Sequence, residues 1–261
     1  MRFRTLAVTV AALLTGGAAA QPRNMATHPR LAPLQPPPGA LADYEADLQR
    51  TFRDAFGADV RLRAVVRPSF QTEYAVGLRQ DGEGYEIFAL RPSRQIWAYQ
   101  MIKLYKSGQA GVMIFDGSDG DDPDKLLGDP DSEPRDGTAD AIAQLQKDLP
   151  ADPSDLPLSR CAVTVDDAVA AGVTAAWRRM LETVRPGEQL MPGLDGTSYI
   201  FSMETDGGAL AGETWSPRAG TRPAKLARLA EAMREYCETK AAEPLAEIRN
   251  LAHALARRRR A

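Results

Sequence analysis

Two runs in which apolar residues return at every second position constrain this chain more than any other feature. Val60, Leu62, Ala64 and Val66 are interleaved with Arg61 and Arg63, and Thr72, Tyr74, Val76 and Leu78 repeat the period before Asp81-Gly82 and YEIFAL. A period of two sends successive side chains to opposite faces of a sheet, and so short a turn joins antiparallel neighbours. TSYIFSMETDGGALAGETWSP reads as a second hairpin. Turning through Asp206-Gly207 sets Phe201 opposite Gly212 and Tyr199 opposite Thr214; turning through Gly207-Gly208 sets Ile200 opposite Trp215 and Ser202 opposite Glu213. A one-residue slip exchanges the faces, and the sequence leaves that register open.

Helical spacing fills the intervals. Leu41, Tyr44, Leu48, Phe52, Ala55 and Phe56 share a face that Gly57 ends, and Ala139, Ile142, Ala143 and Leu145 mark a short helix. Val169, Val173, Trp177, Leu181 and Val184 form a third stripe, with Thr164 and Asp167 expected as its cap. Thr221 should cap a helix with Pro223 in its first turn, and Pro244 should open the last one, with Leu245, Ile248, Ala252 and Leu255 inward. Gln95–Tyr105, QIWAYQMIKLY, is rich in aromatic and branched residues and is expected to be a strand paired with residues 111–115. Strands never alternate with helices in the βαβ manner, so the class is α+β, with antiparallel strands and packed helices in both halves. Residues 41–115 make the strand-rich half and 138–261 the half with the second hairpin.

The N-terminus gives an address. Arg2 and Arg4 precede an apolar run from Leu6 to Leu14 and then Ala18-Ala19-Ala20, the layout of a signal peptide over residues 1–20 cleaved between Ala20 and Gln21. No other apolar run is long enough to span a membrane, so no transmembrane segment is expected in the mature chain. Residues 21–40 hold six prolines and read as a disordered tether. A periplasmic or secreted setting is oxidising, and Cys161 and Cys237 are the only cysteines; one disulfide between them is the economical reading.

Chemistry is thinly represented. Losing Arg2 and Arg4 takes the formal charge from −3 to −5, which gives no electrostatic case for nucleic-acid binding. The chain has two histidines, and His253 lies off the apolar stripe of the last helix, so a catalytic triad and a zinc site are both disfavoured. Walker and dinucleotide-binding motifs are absent, and no cofactor is expected. Carboxylates beside aromatic residues remain: Glu73, Glu86, Asp195, Glu204 and Glu213. Two of them, one kept protonated and one ionised, would suffice for glycoside cleavage.

Residues 116–137 carry eight aspartates and one glutamate against Lys125 and Arg135. Registers opening at Asp116, Asp119 and Asp129 each miss the calcium-loop pattern, because glycine falls a place early or Pro123 or Pro134 intrudes. The stretch reads as a solvated linker, and any calcium it took would be held in roughly the millimolar range. The expected function is binding of a protein or cell-envelope component without catalysis, with Trp97, Tyr99, Glu213 and Trp215 as the candidate surface. The alternative is a carboxylate-dependent hydrolase acting on envelope glycan.

Overall fold

The computed structural model describes residues 7–10, 30–34, 39–82, 84–107, 112–115, 138–184 and 196–257. Its centre is a six-stranded antiparallel sheet: β2 (Val60–Pro68), β3 (Tyr74–Asp81), β4 (Gly84–Pro92), β6 (Leu158–Val165), β7 (Thr197–Thr205) and β8 (Gly208–Trp215). The order is β6-β4-β3-β2-β7-β8. Strands from after the acidic stretch therefore flank those from before it on both sides, and the two halves share one sheet. The acidic stretch itself, 116–137, lies outside the described residues, as do Ala20 and Gln21.

Each face of the sheet has its own core. Leu62, Ala64, Val66, Val76, Leu78, Ile87, Phe201 and Met203 point one way, as their strand parity requires. They meet α4 (Asp167–Leu181), α5 (Arg222–Thr239) and α6 (Ala242–Ala256), with Trp177 fully buried and edge-on to Phe201, ring centroids 5.4 Å apart. Burying each such side chain contributes about 1.5–3 kcal/mol. Val65, Ala75, Phe88 and Leu90 point the other way, against α1 (Gly39–Thr51), the 3-10 turn Arg53–Phe56 and α2 (Trp97–Lys106). Gly77 sits opposite Phe88 in the β3–β4 ladder, and a Cβ there would stand 2.3 Å from the Leu62 carbonyl and 2.8 Å from the Phe88 ring. Only glycine lets that ring lie across the strand.

Cys161 of β6 and Cys237 of α5 form the disulfide, their Cα atoms 5.8 Å apart. It clamps an edge strand to the helix that crosses the sheet. The second hairpin closes Thr205 against Gly208, so Asp206-Gly207 is the turn, with Phe201 facing Gly212 and Tyr199 facing Thr214.

Several local expectations differ from the structure. Residues 97–106 form α2 and not a strand: Ile96 and Tyr99 belong to the sheet-side core, while Met101 and Ile102 pack with Ile142 of α3 (Thr138–Asp148). Gln100, Lys103 and Lys106 do return every three positions as a polar stripe, but Gln100 is itself buried and the aromatic and branched residues around them favour a strand reading. Val112–Phe115, β5, pairs instead with β1 (Ala7–Val10), inside the segment expected to be cleaved. The cap of α4 is Asp166, whose carboxylate accepts the Val169 N–H at 2.7 Å; Thr164 is still in β6. Finally, the expected tether is not featureless. Leu31 is buried in the core, and Ala32 bridges Glu213 of β8.

Candidate functional site

At one end of the sheet, where β2 finishes and β3 and β7 begin, two cavities of about 470 and 530 Å³ adjoin along α5. Both are lined by Thr197, Tyr199 and Glu231, so they form one groove. The strands supply Tyr74 and Tyr199, whose positions on the core face aim their rings at the helix and leave their hydroxyls at its polar edge. The helix supplies Arg228, Glu231, Arg234 and Glu235. Phe70, from the turn between β2 and β3, stands at the rim and is 45% exposed, one of two large apolar side chains so exposed among the described residues.

The groove wall is tied together by charge-assisted bonds. Tyr199 Oη donates to Glu231 at 2.6 Å. Arg228 donates to both oxygens of Glu235, at 2.9 and 3.1 Å, and to both of Glu247 on α6, at 2.8 and 2.5 Å, and it approaches Glu231 at 3.5 Å. Planar, bidentate geometry of this kind is what arginine offers and lysine does not. Arg234 donates to Glu238 at 2.7 Å and lies over the Tyr74 ring, 5.1 Å from its centroid. The Arg234 Nε is buried and finds no hydrogen-bond partner among the described residues.

These contacts set protonation states. The Arg228 hydrogen bonds hold the Glu235 carboxyl below the usual range. Burial, and then the neighbouring Glu231 charge, push the Tyr74 hydroxyl up to about 12. Burial and the hydrogen bond to Glu231 push Tyr199 up as well. At neutral pH the groove therefore presents neutral phenols, that of Tyr199 already donating to Glu231, and an ionised, arginine-bound Glu235. Ser69 closes one lip: its Oγ donates to the Gly196 carbonyl at 3.0 Å and accepts the Gly196 N–H at 3.1 Å.

The residues singled out from sequence fall elsewhere. Trp97 and Tyr99 are on α2; Trp97 meets Tyr44 edge-on, centroids 4.8 Å apart, and the buried Tyr99 donates to the Pro150 carbonyl at 3.0 Å. Glu213 and Trp215 are half-buried on the outermost strand, β8, so the four do not gather into one surface. Glu73 is buried, accepting the Ile96 and Trp97 N–H groups at 2.9 Å each and the Tyr44 hydroxyl at 2.8 Å. It caps α2. Glu86 pairs with Arg79 at 2.9 Å, Glu204 is exposed, and Asp195 lies outside the described residues. His253 is exposed.

Arg228, Glu231 and Glu235 were not among the sequence candidates. Their spacing of three and then four residues, a charged stripe beside the Leu226, Ala230 and Met233 stripe, was the available signal. Glu247 carries no such signal, because it reaches Arg228 from another helix. Among the described residues no group of three or more His, Cys, Asp or Glu side chains is arranged to hold a metal ion, and no helix is long and apolar enough to cross a membrane. No protein-family model matches the chain, and no curated protein or solved structure matches it either.

Proposed function

We propose that the protein works in the periplasm by binding a protein or cell-envelope component in the groove along α5. The periplasmic placement rests on the N-terminal layout and agrees with the disulfide joining Cys161 to Cys237. The observation that carries the binding reading is Arg228. It engages Glu231, Glu235 and Glu247 together, which supports a rigid recognition wall more than a proton-transfer site. A glycan hydrolase needs one carboxyl kept protonated near its working pH. Glu235 is displaced in the opposite direction, and Glu73, which burial raises, faces Tyr44 and the start of α2 and not the groove.

Phe70 gives the groove an apolar contact, and Arg234 and Tyr74 give it donors, the mixture that recognises an extended polar chain with an apolar substituent. The test is affinity recovery from a periplasmic extract with the mature protein and with a Phe70→Ser, Arg234→Ala double variant. The expected result is a component retained by the first and lost from the second. Identical recovery by both would overturn the groove assignment. Release of reducing ends from purified envelope glycan by the mature protein, abolished by Glu235→Gln, would install the hydrolase reading in its place.

A further inference from the structure

β2 carries three arginines, Arg61, Arg63 and Arg67. Arg63 and Arg67 stand two residues to either side of Val65, so they share with it the sheet face opposite the groove. Arg61 donates to the Gln80 side-chain oxygen, and Arg67 donates to Glu45 at 3.2 Å. Arg63 differs from both. Its guanidinium lies over the Phe56 ring, 4.2 Å from the centroid, and meets no carboxylate or other acceptor among the described residues. None of its nitrogens is shut away from the surface, unlike the Nε of Arg234. A ring beneath a guanidinium fixes the plane of the fork, so the Arg63 donors are held in place and open to a ligand.

The surroundings suit an anion that carries an apolar group. Across the ladder Arg63 faces Ser202 of β7, which faces Ala211 of β8, and the next row is Val65, Ile200 and Glu213. Directly opposed residues share a face, so a hydroxyl, a methyl and the half-buried Ile200 lie beside the guanidinium. The Ser202 hydroxyl makes no hydrogen bond among the described residues. Burial pulls the Arg63 guanidinium below its ordinary value, with the Glu204 charge opposing that shift, and it stays protonated at neutral pH. We propose that Arg63 and Ser202 form a carboxylate-binding site on this face, with Ile200 receiving an apolar group next to the carboxylate. The planar fork matches a carboxylate in bidentate fashion. Glu204, exposed two residues along β7 on the same face, repels a phosphate dianion about twice as strongly as a monoanion, which sets the class of ligand. The site lies across the sheet from the groove and does not rest on it.

Covering Phe56 needs only the arginine stem, whereas holding a carboxylate needs the fork, and NMR separates the two roles. The arginine Nε–Hε and isoleucine methyl resonances of the mature protein are followed during titration with four probes. N-acetyl-leucine stands for a peptide C-terminus and N-acetyl-aspartyl-leucine amide for an acidic side chain within a chain; neutral N-acetyl-leucine amide and inorganic phosphate are the controls. At least one of the two acids should move the Arg63 Nε–Hε and Ile200 methyl signals saturably, and the tighter one identifies the source of the carboxylate. Arg61 and Arg67, which already have acceptors, should stay still. The amide and phosphate should bind at least tenfold more weakly. Arg63→Lys, which keeps the stem and the charge without the fork, should weaken the acid at least tenfold as read from the Ile200 methyl. No saturable movement with either acid overturns the site, as does equal movement at all three arginines. Phosphate binding as tightly as the acids overturns the ligand class, and unchanged affinity in Arg63→Lys overturns the role of the fork.

Discussion

Replacing Glu73 with alanine should destabilise the fold by about 3 kcal/mol, although the residue touches no cavity. Three donors lose their acceptor: the N–H groups of Ile96 and Trp97 and the Tyr44 hydroxyl. A buried donor left without a partner costs about 1–3 kcal/mol, so the three together approach 6 kcal/mol. Removing a buried carboxylate recovers several kcal/mol of desolvation, which brings the net down to about half. Glutamine keeps one oxygen for Trp97 and Tyr44 but turns an amide donor towards Ile96, a loss of about 1–2 kcal/mol. The pH dependence separates the two substitutions. Burial holds the Glu73 carboxyl above its ordinary value, against the opposing pull of its hydrogen bonds. Between the unfolded and folded pKa the native state binds the extra proton. Its contribution is therefore full below the ordinary carboxyl value of about 4.3 and is lost as pH rises through the raised one. Urea midpoints measured from pH 4 upward should fall for the wild type relative to Glu73→Gln, which has no proton to lose. Parallel profiles for those two proteins, or a cost under about 1 kcal/mol for Glu73→Ala, would refute the assignment of Glu73 as a buried cap with a raised pKa.

Reduction or Cys161→Ser with Cys237→Ser should lower stability by about 4 kcal/mol in the chain-entropy model, given a separation of 76 residues; thiol labelling of the unfolded, unreduced chain should find no free cysteine. Gly77→Ala should cost about 2–3 kcal/mol, since its Cβ meets a carbonyl and the Phe88 ring at once; a thermal melt within experimental error of wild type would contradict that packing. Arg228→Ala should change stability by less than about 1 kcal/mol at neutral pH, because the guanidinium is partly exposed. It should nevertheless raise the titration of Glu235, followed by carboxyl carbon resonances. The depressed folded value means that this pairing helps above the ordinary carboxyl range and is lost as pH falls through it.

What was legible in the sequence follows from where each signal resides. β2 and β3 were readable because Leu62, Ala64 and Val66 and then Tyr74, Val76 and Leu78 return at every second position, with arginines in β2 and the small Ala75 and Gly77 in β3 between them, and the disulfide was readable because two cysteines admit one pairing. α2 was not, because apolar residues facing two cores narrow its polar stripe to Gln100, Lys103 and Lys106, outweighed by aromatic and branched neighbours of strand propensity. The second hairpin needed the structure for a different reason: Asp206, Gly207 and Gly208 offer two chemically sound turns, and the register observed is the one that turns Gly212 of β8 inward against Val184 and Leu31. Long-range contacts share that property. Arg228 meets Glu247 only because α6 brings it there, and Leu31 packs beside β8 only because Gly212 of a strand 181 residues later leaves it space. Ala32 reaches β8 through the backbone groups of Glu213, which every sequence carries and no residue type reveals.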